Sequence, residues 1–124
     1  MNKAIQLAGE EMNICIPEFT VAGIPHGTFF AHKWFIGSDD AIDAKTIANL
    51  IDEKLKVLND DYEVERRHAL KAVEAVVLPE QKFMDFMNLK GKLGGQHKFP
   101  RVLKGKMLEE WERFLSKGQL TMDN

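Results

Sequence analysis

Thr28-Phe29-Phe30-Ala31-His32-Lys33-Trp34-Phe35-Ile36 is the stretch on which the fold turns. Phe29, Phe30, Trp34, Phe35 and Ile36 put apolar side chains on both faces of an extended chain. A strand buried on both faces reads as a near-continuous hydrophobic run, because each face must meet a covering layer. The stretch therefore predicts a central strand with helices above and below it. Gly37 to Asp40 ends it. A clear helical stripe follows from about Ala44 to Leu58, with Ile47, Leu50, Ile51, Leu55 and Leu58 at the spacing of one helix face. Asn59, Asp60 and Asp61 break that helix and supply caps for a short one, Tyr62 to Ala69. Ala72 to Leu78 predicts a second core strand, closed by Pro79.

Upstream, Asn2 to Asn13 predicts a helix, with Ile5, Ala8 and Met12 on one face. Ile14 to Val21 is expected to be a short extended segment at a sheet edge, because Pro17 lacks a ladder donor. Gly23, Pro25 and Gly27 predict a turn over Ala22 to Gly27. Downstream, Glu80 to Leu89 predicts a helix with Phe83, Phe86 and Met87 turned inward. Lys90 to Leu103 has no periodicity. Lys106 to Leu115 predicts a last helix through Met107, Trp111, Phe114 and Leu115. Ser116 to Asn124 is expected to fray. Helices alternating with few strands define an α+β class, a small mixed β-sheet flanked by helices.

The chain has 124 residues, enough for one domain with its own core. That length excludes a two-domain, nucleotide-using synthetase. Hydrophobic residues make up 44% and charged residues 29%, which excludes a disordered tail or a rod. A formal net charge of -2 argues against nucleic acid and anionic membrane as partners. Met1 to Asn13 is too polar for a signal peptide, and no apolar run approaches the ~20 residues of a spanning helix. The single cysteine, Cys15, permits no internal disulfide. Its neighbours Ile14 and Ile16 lead to the expectation of a buried thiol, and a cytoplasmic location is expected.

Chemistry concentrates in Lys90-Gly91-Lys92-Leu93-Gly94-Gly95-Gln96-His97-Lys98-Phe99-Pro100-Arg101. The glycines let the backbone approach a ligand closely. Lys90, Lys92, Lys98, Arg101 and Lys104 surround them, and with Gln96 they suit phosphate oxygens. The pattern is not a Walker A loop. A solvated basic loop is the plainer reading. Elsewhere the bland readings prevail. His26, His32, His68 and His97 lack metal-ligand spacing. His32 is expected to be a core or partner-facing histidine. Asp39, Asp40 and Asp43 fit turns and caps. Glu63, Glu65, Arg66 and Arg67 fit a salted helix face.

Gly91-Lys92-Leu93-Gly94-Gly95-Gln96-His97-Lys98, followed by Pro100-Arg101, resembles the C-terminal signature of the Gretchen Hagen acyl acid–amido synthetases, the auxin-responsive-promoter family, in a bacterial-type form. Further matches run in order. His32-Lys33-Trp34 resembles the family's His-x-Trp strand. Leu58-Asn59-Asp60-Asp61-Tyr62, with Arg66, resembles its helix junction. Phe83 and Met87 match the helix before the loop. Phe86 departs from a common tryptophan, and Phe99 from a smaller residue. Glu65 and Arg67-His68 depart in the second helix.

The resemblance implies the small C-terminal lid domain of an acyl-adenylating enzyme, with residues 1–124 as that single domain. The large N-terminal adenylation domain would lie outside this chain. The family activates a carboxylic acid with ATP and magnesium, releasing pyrophosphate, and an amino acid amine then displaces AMP. The carry-over places Lys98 first and Lys92 second as catalytic residues. Gly94, Gly95, Gln96 and Arg101 would bind the nucleotide, and no metal is held by this chain. The chain alone would hold no cofactor tightly. Partners implied are the adenylation domain, in cis or in trans, the acid and the amino acid. The competing reading is a non-catalytic module that docks on or regulates a separate adenylation subunit.

Overall fold

The computed structural model describes residues 2–90 and 99–123, with side chains up to residue 116. Among the described residues nine elements follow in order: α1 (Asn2–Met12), β1 (Glu18–His26), β2 (Phe29–Gly37), α2 (Ala44–Leu58), α3 (Asp60–His68), β3 (Leu70–Leu78), α4 (Glu80–Leu89), β4 (Val102–Leu103) and α5 (Gly105–Asp123). The sheet order is β3-β2-β1-β4. β1 and β2 form an antiparallel hairpin, whereas β2 pairs with β3, and β1 with β4, in parallel. This is the mixed sheet of an α+β domain, and β2 lies inside it as the apolar run predicts.

Alternation along the strands divides the core in two. Phe19, Val21, Trp34 and Ile36 meet α1 and α2 through Ile5, Ala8, Ile47, Ile51 and Leu55. Ala22 and Phe35 meet α4, α5 and the approach to β4 through Phe83, Phe86, Phe99, Leu103 and Trp111. Adjacent residues Trp34 and Phe35, each 1% exposed, thus belong to different halves.

The caps follow local chemistry. Asp43 accepts the Thr46 N–H at 2.9 Å and starts α2. Asn59 accepts the Tyr62 N–H at 3.1 Å and starts α3. α1 ends in a Schellman turn: the Asn13 N–H donates to Glu10 O and the Ile14 N–H to Gly9 O. Asn13 takes the positive φ, 57°, that this turn requires.

Several expectations are corrected. Pro17 precedes the strand, and β1 begins at Glu18. β1 also lies inside the strand order, although β4 covers it only at Val21 and Ala22. The segment expected to turn over Ala22 to Gly27 is strand as far as His26, with Pro25 opposite Phe30. The turn is Gly27-Thr28 alone, with Gly27 at φ 65°. Glycine with positive φ at the first of two loop positions is the pattern of a type II′ hairpin. β3 stands at the end of the strand order, yet packs on both cores as a core strand should, through Val73, Ala75 and Val77 on one face and Val76 and Leu78 on the other. Cys15 is exposed, not buried. α5 spans Gly105–Asp123, longer than the Lys106–Leu115 helix expected.

Candidate functional site

The connection between α4 and β4 carries the sequence-predicted site. Lys92, Gly94, Gly95, Gln96 and Lys98 lie outside the described residues; the two ends of the connection lie within them. At the first end, Lys90 Nζ reaches Glu110 Oε1 of α5 at 2.8 Å, with both side chains 28% exposed. This contact holds the Glu110 carboxyl below its ordinary range.

At the other end, Phe99 is buried among aromatic rings. Its centroid lies 4.9 Å from those of Phe83 and Trp111 and 5.9 Å from that of Phe86. Arg101 follows two residues later. One guanidinium nitrogen donates to Glu18 Oε1 at 2.7 Å and to Phe19 O at 2.9 Å. The guanidinium carbon sits 4.3 Å from the Phe19 ring centroid. The Val21 N–H donates to Arg101 O at 2.9 Å, and the chain then enters β4. A charge-assisted bond, an aromatic plug and a ladder bond therefore fix the return of the connection.

Sequence reasoning grouped Lys90, Arg101 and Lys104 with the anion-binding residues. The structure pairs the first two with carboxylates of this chain and leaves Lys104 exposed. Glu18 and Glu110 were missed. They stand 83 and 20 residues from their partners, and no local pattern signals them.

A second constellation forms on the opposite side of the sheet. Tyr62 Oη donates to Asp52 Oδ1 at 2.6 Å, and Arg66 Nε donates to the same oxygen at 3.0 Å. Lys56 Nζ lies 3.6 Å from Asp52 Oδ2. His32 stacks obliquely on Tyr62, with ring centroids 6.1 Å apart. Arg66 is thus taken out of the salted surface expected of it; Glu63 and Arg67 remain there, 3.6 Å apart. Asp52 was missed although a signal existed. It sits on the apolar face of α2 with Ala48, Ile51 and Leu55, where an acidic residue needs partners.

A hollow of about 620 Å³ beside α1 is lined by residues that include Gly9, Asn13, Cys15 and Asp40. It involves neither constellation. Among the described residues no helix is long and apolar enough to cross a membrane.

The fold is a small α+β domain, a four-stranded mixed sheet with helices packed on it. The chain belongs to the GH3 family: residues 1–106 match the family's C-terminal domain. Solved structures share the fold. A GH3.15 acyl acid amido synthetase aligns at a TM-score of 0.70 and 17% identity, over 93% of this chain and 22% of that one. AtGH3.15 acyl acid amido synthetase in complex with 2,4-DB aligns at 0.62 and 18% identity, with the same coverage. The chain thus spans 22% of the length of the structures it matches. No curated protein matches its sequence.

Proposed function

We propose that this chain is the C-terminal lid of an ATP-dependent acyl acid–amido synthetase, working over a large adenylation domain in the cytoplasm. The observation that carries the reading is the family match over residues 1–106, which ends only after the whole 90–101 connection. The two ends of the connection are fixed to α5 and β1 through Lys90–Glu110 and Arg101–Glu18. In the first half-reaction a carboxylate oxygen attacks the α-phosphorus of MgATP, and the bond to pyrophosphate breaks. In the second, an amino acid amine attacks the acyl carbon, AMP leaves, and the amine loses a proton. Lys98 would offset negative charge where the carboxylate and phosphate converge, with Lys92 assisting. Gly94 and Gly95 would allow close approach, and Gln96 would donate to phosphate oxygens. Arg101, being clamped to Glu18, would contribute mainly by holding the lysines in place.

The test is single-turnover acyl-adenylate formation in a protein that carries both domains. Lys98→Ala should slow it by about 10²- to 10³-fold, the usual cost of losing one preorganised charge donor. Lys98→Arg should rescue poorly, because a planar fork does not replace a compact ammonium. Lys92→Ala should lose less. An unchanged first half-reaction in Lys98→Ala would overturn the assignment and favour the docking-module reading. The 124-residue chain alone should show only background pyrophosphate exchange.

A further inference from the structure

The constellation around Asp52 is not used by that reading. Its residues come from β2, α2 and α3, and they meet on the side of the sheet away from α4 and α5. α3 is unusual among the helices because none of its residues is buried. Two side chains fasten it. Tyr62 and Arg66 both donate to Asp52, and Arg66 also donates to Leu70 O at 3.0 Å. Asp52 itself is only 8% exposed. Beneath Tyr62 lies His32, which also faces Phe30 at 5.8 Å between ring centroids. Its Nδ1 is buried without a hydrogen-bond partner among the described residues.

We propose that α3 is a releasable element, latched through Asp52 and opened when His32 is protonated, so that mild acid frees α3 while the rest of the sheet stays folded. Apolar packing resists the motion mainly through Tyr62, which is partly buried against the core, since α3 contributes no fully buried side chain. The rest of what holds it is directional and polar, and those contacts are lost together once Tyr62 and Arg66 leave the carboxylate. The imidazole faces Asp52 from α2, Tyr62, Glu65 and Arg66 from α3, and Phe30 from its own strand; Lys56 pairs with Asp52. Burial lowers its pKa most. Glu65 and Asp52 pull it back up, Arg66 lowers it further, and the net shift is downward from 6.5. The closed form therefore binds fewer protons than the open form, in which His32 meets water. Closure is fully favoured above about pH 6.5 and is lost as pH falls through the lowered value. One proton can change the opening equilibrium by at most about tenfold per pH unit.

The experiment is residue-resolved amide exchange on this chain at pH 7.5 and 5.5, corrected for intrinsic exchange. Opening of Glu63 to Ala69 should rise several-fold at the lower pH, while Trp34 to Ile36 keep their protection. His32→Gln should remove the pH dependence. Asp52→Asn should leave α3 open at both pH values. If α3 amides match Trp34 to Ile36 at both values, the latch does not exist. If their pH dependence survives in His32→Gln, His32 is not the trigger. Should Asp52→Asn fail to fold, the His32→Gln comparison decides alone.

Discussion

Gly37 closes β2 where no side chain fits. A Cβ there would lie 2.7 Å from Cε1 of Phe83 and 3.2 Å from Cβ of Glu18. Phe83 cannot swing aside, because Phe99 and Trp111 hold it at centroid distances of 4.9 and 5.1 Å. Gly37→Ala should therefore cost about 1–3 kcal/mol by overpacking, read as a lowered midpoint in denaturant at unchanged slope. An unchanged midpoint would show that the ring yields. Cys15 teaches a related lesson. Apolar neighbours on both sides suggested burial, but in an extended segment they imply the reverse. Ile14 and Ile16 turn toward the core, so the residue between them turns out. What is held at Cys15 is the backbone, through Asp40 and Ser38.

Elements whose stability is local were legible in the sequence, and those fixed by distant partners were not. α2 runs from Ala44 to Leu58 as its stripe and Asp43 cap predict. α4 likewise matches its expected span. Pro25 misled because its effect depends on which way its missing N–H would point. His26 and Phe29 flank the two-residue turn and form a bonded pair, so Pro25 and Phe30 form the next, non-bonded pair. The Phe30 N–H accordingly donates away from β1, to Ala69 O. The donor Pro25 lacks would face the open edge, where proline costs nothing. β4, two residues long, has no periodicity to detect and exists because β1 and the Arg101 clamp receive it. Of the candidate site, composition revealed the glycines and lysines; the Glu18 and Glu110 anchors appear only in the fold. The clamp can be measured by a double-mutant cycle on Glu18→Gln and Arg101→Gln. Both groups are roughly a quarter to a third exposed, so solvent screening limits their coupling to about 1 kcal/mol. A coupling indistinguishable from zero would remove the clamp.

The whole molecule is two cores sharing one sheet, and the sharing sets its cooperativity. Trp34 is packed against α1 and α2, whereas Trp111, 0% exposed, is packed among Phe83, Phe86 and Phe99. No backbone segment separates them: neighbouring residues on β1 and β2 serve opposite halves. Losing one helical layer would bare one face of β2, and the remaining layer would have to stabilise a half-covered, strongly apolar strand. At roughly 25 cal/mol per Å² of exposed apolar surface, a few hundred Å² would consume much of the 5–15 kcal/mol typical of a domain. The halves should therefore unfold together, with α3 as the part able to leave first. Trp34→Phe and Trp111→Phe each leave a single indole reporting on one core. Their emission transitions in denaturant should each coincide with that variant's loss of far-ultraviolet circular dichroism, with matching slopes. An indole that reddens well before the dichroism falls would show that its layer detaches alone, and the two cores would then be separate units.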